Sequence, residues 1–308
     1  MKRYLLFFVV LLLVVGCGKR EGVVPSQKRI DKVLAVENRI QESDTIFAGE
    51  EYVSEQWIWD GRKVVRIDYR GENQYSENFF HDGKKIVRTT VPAYNLRSDF
   101  KYDGRKLARI EVFRRDKLTA TMTFVHDDEG VREIVCRRIV ADSDMLWPMW
   151  TPMPLRMLLG NGVAEAVGRD VAAKMTQTHS TKSDAEVHYA LTWDKDHENV
   201  ASIAVSGSVE SPYVIALTYD DKKNPYDQLF ANHELNETIF GFRMLSEHNV
   251  TSIRMPFNKN EEVVFRYSYT YDDDYPSSRK LDYKFVTRSV VSDSVTISVE
   301  KREKIIYL

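Results

Sequence analysis

"WDGRKVVRI" at 59–67 returns as "HDGKKIVRT" at 81–89 and as "YDGRKLARI" at 102–110, at nearly constant spacing. Asp-Gly between alternating apolar residues is the strongest short-range signal for a β-hairpin, because a type I′ turn needs positive φ at both central positions. We therefore predict that each copy is a β-hairpin and that each Asp-Gly is its two-residue turn.

The position of these turns fixes which side chains meet across each hairpin. A turn at Asp60-Gly61 places Trp57 opposite Val64 and Trp59 opposite Arg62. The same register predicts the pairs Phe79–Ile86, His81–Lys84, Phe100–Leu107 and Tyr102–Arg105. Each hairpin would then hold an aromatic–aliphatic pair and a ring–cation pair, and such pairs stabilise a sheet by about 0.2–1 kcal/mol each. The opposite face is predicted to be partly apolar, so the sheet must curl around something.

Looser copies of the pattern continue along the chain. An aromatic residue or His, then Asp, then a polar turn and an apolar run recur at 126–134, 191–203, 217–229 and 269–281. Repeats of this length indicate one supersecondary unit stacked on its neighbours. We predict a mainly β fold in which repeated hairpins form an antiparallel meander, curled into a sheet, with one short helical strap. Residues 29–48 fit either a weak helix or a first strand.

Tandem hairpins of this kind, with "TYDDKKNPY" and "YTYDDDYP" among them, resemble the YD repeats of RHS-type proteins. They resemble more closely the lipoproteins of Gram-negative envelopes that carry YD-repeat-like units. The resemblance covers roughly 50–135 and 187–290. It departs from the family where turn lengths vary and where Trp or His replaces Tyr. It implies a fold and a location, and it carries no activity with it.

The N-terminus predicts where the protein resides. Lys2 and Arg3 precede an apolar run at 5–15 that is too short for a membrane span and suits a secretory signal. The run ends in Val-Val-Gly-Cys, which resembles the lipobox of bacterial lipoproteins and marks Cys17 as the site of lipid attachment. Several acyl chains would anchor the protein stably to a membrane. Gly18, in place of the Asp that retains such proteins at the inner membrane, favours the outer membrane. An uncleaved signal anchor is the alternative.

Composition excludes some classes of partner. The formal net charge is −2, with 44 basic and 46 acidic residues, so no overall field attracts nucleic acid. If Cys17 carries lipid, Cys136 has no second cysteine with which to form a disulfide. We expect Cys136 to be a small buried apolar residue, and we expect the exported domain to be held together by burial alone.

The pattern changes between the two blocks of repeats. "MLWPMWTPMPL" at 145–155 is rich in Trp, Pro and Met, and valines spaced four apart at 161–175 predict an amphipathic helix. A strap packed over the sheet is one interpretation. A surface that contacts a protein or glycan ligand through Trp147, Met149 and Trp150 is the other. A second short helix is predicted at 226–235.

Candidate catalytic and metal-binding motifs in the sequence are incomplete. "HELNE" at 233–237 lacks the second His of a zincin motif, and the three carboxylates of "YDDDYP" at 271–276 lack the spacing and Gly of a calcium loop. Neither a nucleophile elbow nor a phosphate-binding glycine motif occurs. We expect no catalytic residue, no metal and no cofactor.

These observations divide the chain into five segments. They are a signal peptide at 1–16, a tether and N-terminal segment at 17–48, a first repeat block at 49–144, the strap and helix at 145–185, and a second repeat block at 186–308. The predicted function is a lipid-anchored envelope protein with a non-enzymatic binding or scaffolding role. The alternative is an envelope-associated hydrolase that uses carboxylates brought together by folding.

Overall fold

The computed structural model describes residues 28–41, 44–70, 74–128, 130–139, 186–209, 212–225, 246–256, 261–287 and 298–308. Seventeen β-strands run through these residues, and one turn of 3-10 helix lies at Pro92–Tyr94. The first nine strands are β1 (Ile30–Gln41), β2 (Asp44–Ala48), β3 (Tyr52–Asp60), β4 (Lys63–Tyr69), β5 (Tyr75–Asp82), β6 (Lys85–Val91), β7 (Leu96–Asp103), β8 (Lys106–Arg114) and β9 (Lys117–His126). The others are β10 (Val131–Arg138), β11 (Glu186–Trp193), β12 (Val200–Gly207), β13 (Tyr213–Lys223), β14 (His248–Pro256), β15 (Glu261–Asp272), β16 (Tyr275–Thr287) and β17 (Ser298–Tyr307).

The strands form one closed antiparallel barrel. From β3 to β17 each strand pairs with the next, and β1 closes the ring by pairing with β17 on one side and with β2 and β3 on the other. Because β2 and β3 lie end to end beside β1, the ring has 16 positions. Both predicted repeat blocks belong to this single sheet.

Closure changes one part of the predicted architecture. The mainly β, antiparallel character is confirmed. The predicted curled sheet is not supported, because β1 joins the last strand to the first and closes the sheet into a barrel. The ambiguous segment 29–48 forms β1 and β2. The structure does not support the helical strap, because no α-helix occurs among the residues that it describes. The predicted helices at 161–175 and 226–235 lie outside those residues.

The predicted turn register is wrong by one residue. Asp60 pairs with Lys63, so that Gly61 and Arg62 are the central turn residues. Gly61 has a φ of 58°, in the left-handed region that glycine adopts without steric cost. Asp82–Lys85 and Asp103–Lys106 pair in the same way.

A bulge directly follows each of these turns. Trp59 pairs with Val64 but Ile58 pairs with Arg66, which leaves Val65 as an extra residue on the return strand. The extra residue puts Val64 and Ile67 on the same, inward face. The outer face is therefore less apolar than predicted.

The apolar side chains of all the hairpins meet inside the barrel. Buried residues from β1 to β17 form one continuous hydrophobic cluster, and several of them are wholly inaccessible to solvent: Val33, Ile67, Ile110, Ile134, Val200, Ile203, Ile215, Ile253, Met255 and Phe265. These apolar side chains of the sheet thus form one packed core inside the barrel. Burial of apolar surface on this scale is the main source of the stability of the fold.

The outer wall is polar. Exposed arginines stand along it and form ion pairs, such as Arg66 with Asp68 at 3.0 Å and Arg88 with Asp99 at 2.6 Å. Among the described residues only Phe80, Val214 and Leu308 are large apolar side chains exposed to solvent. No helix in the described ranges has the length and hydropathy needed to cross a membrane.

Candidate functional site

Six of the described hairpin turns lie at one end of the barrel, which we call the turn end. It comprises the turns β3–β4, β5–β6, β7–β8, β9–β10, β11–β12 and β15–β16, the start of β1 and the end of β17. The last residue joins this end directly, since the Leu308 amide donates to the Arg29 carbonyl at 2.8 Å. The end of β13 and the start of β14 lie at this end too.

A ring of hydrogen bonds from aromatic side chains encircles the turn end. One aromatic or His side chain in each of eight successive hairpins reaches a main-chain carbonyl of the preceding hairpin. The contacts are Trp59 to Ile30 (2.8 Å), His81 to Val64 (2.8 Å), Tyr102 to Ile86 (2.8 Å), His126 to Leu107 (2.7 Å), Trp193 to Val131 (3.1 Å), Tyr219 to Val200 (2.7 Å), Tyr269 to Val250 (2.7 Å) and Tyr307 to Pro276 (2.8 Å). We call these contacts the ring-tip bonds. They link each hairpin to its neighbour all the way round.

The ring-tip bonds explain why the repeat accepts three residue types at one position. Trp, His and Tyr share a hydrogen-bond donor at the far tip of a flat ring, and Phe does not. The acceptor is an inward residue of the preceding return strand, as Val64 is for His81. The repeat position was visible in the sequence. Its role was missed, although the shared ring-tip donor is a signal that could have revealed it.

A ring–cation contact also joins neighbouring hairpins. Because the turn is shifted by one residue, Tyr102 pairs with Leu107 rather than with Arg105. The ammonium of Lys85, in the preceding hairpin, lies over the Tyr102 ring, 4.5 Å from the ring centroid. The Lys85 ammonium also donates to the Gly104 carbonyl.

Two further basic side chains bridge neighbouring turns. The Arg29 guanidinium donates to the Gly61 carbonyl, and the Lys106 ammonium donates to the Asp127 carbonyl at 2.9 Å. Carbonyl contacts of this kind hold a cation in place without neutralising it. The turn end therefore keeps its positive charge at these positions.

One arc of the interior is polar. Glu55, Glu77 and Glu303 are buried, and Arg279 is buried with them. The Arg279 Nε lies 2.5 Å from the Glu303 carboxylate, and the Trp57 indole donates to Glu55 at 3.0 Å. A buried ion pair costs about 3–5 kcal/mol when one partner is removed, because the other charge is left in an apolar environment. These contacts account for the ion pair and for Glu55 as parts of the core.

A histidine lies between two carboxylates on the outer wall. His188 Nδ1 is 2.8 Å from Glu133, and its Nε2 is 3.0 Å from Glu186. The contact with Glu133 raises the pKa of His188, while partial burial opposes the shift. The position is away from the turn end, at the start of β11.

The carboxylates of 271–276 lie in the exposed β15–β16 turn. Asp272 pairs with Lys28 at 2.9 Å, and Asp274 lies 3.4 Å from Lys222. Next to them, Asp220 accepts hydrogen bonds from the Tyr271 hydroxyl and the Asn249 amides. Burial raises the pKa of Tyr271 above its usual value, with the Asp220 contact adding to the effect. These contacts join β13, β14 and β15.

Most of the predicted site residues lie outside the described residues. They are Cys17, the contact residues Trp147, Met149 and Trp150, and the segment 233–237. Cys136 is described and is buried in the core, 6% exposed. Within the described ranges no group of three or more His, Cys, Asp or Glu side chains is placed to hold a metal ion.

Comparisons with known proteins identify no family for this chain. No family model matches the chain, and no curated protein matches it. A Bacteroides fragilis protein, whose crystal structure is described as that of a "putative outer membrane protein", is similar over 89% of this chain and 97% of that chain. The sequence identity is 9% and the TM-score is 0.12, values too low to support an argument about fold or function.

Proposed function

We propose that this protein is a lipid-anchored envelope protein whose barrel has a non-enzymatic binding or scaffolding role. Two features support the proposal. The N-terminal run ends in Val-Val-Gly-Cys, which resembles a lipobox with Cys17 as its cysteine. The outer wall carries the ion-paired charges of a surface that faces water. The anchor, rather than the wall, would then hold the protein at the outer membrane.

The single observation that carries the scaffolding role is the closed barrel with its continuous core. All eight hairpins are joined by ring-tip bonds and by one continuous core. The strand ends that flank residues 226–245 lie at the turn end, and those that flank residues 140–185 lie at the opposite end. Rigid scaffolds that present longer connections are the usual arrangement for binding proteins.

The anchor is tested by mass spectrometry of the protein purified from membranes. We expect an N-terminal peptide that begins at Cys17 and carries acyl chains, and a Cys17→Ser variant released in soluble form. A Cys17→Ser variant that stays in the membrane fraction would contradict lipid anchoring and favour the uncleaved signal anchor.

The binding role is tested by chemical cross-linking in intact cells. If the Trp/Pro/Met segment contacts a partner, the double variant Trp147→Ala, Trp150→Ala loses a cross-linked product that the parent protein forms. Phe80→Ala, which removes an exposed aromatic side chain from the outer wall, is the matched control and should keep the product. Loss in both variants, or in neither, would contradict a binding role for that segment.

The hydrolase alternative remains a prediction. It requires two carboxylates with different pKa values beside a substrate pocket. The buried carboxylates Glu55, Glu77 and Glu303 lie among core side chains.

A further inference from the structure

The charges of the turn end are divided between two arcs. We define the basic arc as residues 28–29, 60–63, 82–85 and 103–106, which are the start of β1 and the next three turns. It holds eight Lys or Arg residues and three Asp residues. The other turns, from β9–β10 to β15–β16, hold mostly Asp and Glu, including Asp127, Asp128, Asp194, Asp196, Asp220, Asp221, Asp272, Asp273 and Asp274. A chain that is nearly neutral overall therefore has a strongly positive half-rim.

The basic arc is continuous in space. Its four members are consecutive around the ring, because β1 pairs with β3 and each later hairpin pairs with the next. Arg29 reaches the Gly61 carbonyl, and Lys85 reaches the Gly104 carbonyl, so that side chains bridge the turns. Arg62, Lys84 and Arg105, at the second position of their turns, are exposed. The positive charges thus face outward from one end of the barrel.

The tether begins at this same arc. The described chain starts at Lys28, beside the turn that contains Gly61. Residues 17–27 span at most about 40 Å when fully extended, so a lipid on Cys17 keeps the turn end within that distance of a bilayer surface. Electrostatic attraction reaches only about 8 Å at physiological ionic strength, and the tether permits so close an approach.

From this juxtaposition we propose that the basic arc is a membrane-contact surface that binds anionic lipid headgroups. The lipid anchor brings the turn end to the bilayer, and the barrel tilts so that its positive half-rim meets the phosphates. The acidic half-rim is repelled from the same surface, which fixes the direction of the tilt. The orientation rests on the proposed acylation of Cys17, whereas the affinity of the arc for anionic lipid does not.

The proposal is tested with the chain from residue 17 carrying Cys17→Ser, so that no acyl chain contributes to binding. Sedimentation with vesicles should show binding to phosphatidylcholine that contains phosphatidylglycerol, weakened by salt, and no binding to phosphatidylcholine alone. Each basic side chain near an anionic surface strengthens partition roughly fivefold. The triple variant Arg62→Glu, Lys84→Glu, Arg105→Glu is therefore expected to bind at least about 100-fold more weakly.

A matched control makes the same change of net charge elsewhere. Arg115, Lys117 and Arg137 are exposed at the opposite end of the barrel, in the β8–β9 turn and near the end of β10. Their triple change to Glu should leave partition within about threefold of the parent, because these side chains lie beyond the reach of the surface field. Far-UV circular dichroism and thermal unfolding establish that both variants fold.

Three results would overturn the proposal. The parent chain could fail to bind anionic vesicles, or the two triple variants could weaken binding equally, which would make net charge alone responsible. The parent could also bind soluble polyphosphate but no vesicle, which would identify a polyanion as the partner. None of these results depends on acylation, and the mass of the Cys17 peptide separately decides whether the anchor exists.

Discussion

The position that the repeat gives to Trp, His or Tyr requires a donor at the ring tip. Trp59, His81 and Tyr102 stand at equivalent places, and each reaches a carbonyl of the preceding hairpin at 2.8 Å. A Phe ring would fill the same space without satisfying that carbonyl. The sequence alone showed that a ring is required at this position, because Trp, His and Tyr all have one. The bond was not visible, because its acceptor is supplied by another hairpin.

His81 gives the ring-tip bonds a dependence on pH. Burial lowers the pKa of His81 below its ordinary value of 6.5, while the bond to Val64 opposes the shift. The unfolded chain therefore binds a proton more readily than the folded one, and the contribution of His81 to stability is lost as pH falls below about 6.5. His81→Tyr keeps a ring-tip donor and removes the titration. We expect this variant to lose less stability than the parent between about pH 7 and pH 5, measured by thermal unfolding.

His188 provides the opposite behaviour for comparison. Contact with Glu133 raises the pKa of His188. The contribution of His188 to folding stability is therefore fully present below about pH 6.5, the ordinary pKa of His, and is lost as pH rises through the pKa in the folded state. The stability of a His188→Gln variant should therefore differ from that of the parent most at low pH.

The His81 prediction has its own contradicting outcome. If His81→Tyr and the parent lose stability in parallel on acidification, His81 does not titrate as stated.

Hairpins are the elements from which the barrel is built, and ring-tip bonds join them. The Asp-Gly motif correctly predicted that each copy is a hairpin, because the positive φ of Gly61 is a local requirement. The turn lies one residue later than predicted, and a bulge at Val65 follows it, because pairing across the sheet decides both.

Two Tyr→Phe changes test the bond between hairpins. Tyr102→Phe removes the donor to Ile86 and should reduce the free energy of unfolding by about 0.5–1.5 kcal/mol. In the matched control, Tyr213→Phe removes a buried hydroxyl that has no hydrogen-bond partner among the described residues, so stability should be unchanged or higher. Denaturant unfolding measures both. Equal losses would show that the ring, rather than its tip, is what stabilises the hairpin pair.

Closure is a property of the whole molecule, because it joins the two ends of the described chain. β1 pairs with β17 from Ile30 opposite Tyr307 to Ile40 opposite Ser298. Any truncation of β17 would leave the inward face of β1 without its neighbour and open the core.

An engineered disulfide between β1 and β17 tests directly whether the barrel is closed. Lys32 and Ile306 lie directly opposite each other, at a Cα separation of about 4.5–5.5 Å for antiparallel partners, which a disulfide can bridge. We expect Lys32→Cys with Ile306→Cys, in the Cys17→Ser chain, to oxidise within one molecule and to resist denaturant. The control pair Lys32→Cys with Lys101→Cys should not form this bond. Failure of the first pair to oxidise would mean that the ring is open in solution.

The sequence by itself determined the hairpins, the mainly β character and the prediction of lipid attachment at Cys17. These depend on local requirements: positive φ at Gly, alternation along a strand, and a short apolar run before a cysteine. Tertiary structure decided the register, the bulges, the ring-tip bonds and the closure between β1 and β17. It also gathered the basic turns into one half-rim. Each of these arises from residues far apart in the chain, and only folding brings their backbones and charges within reach of one another.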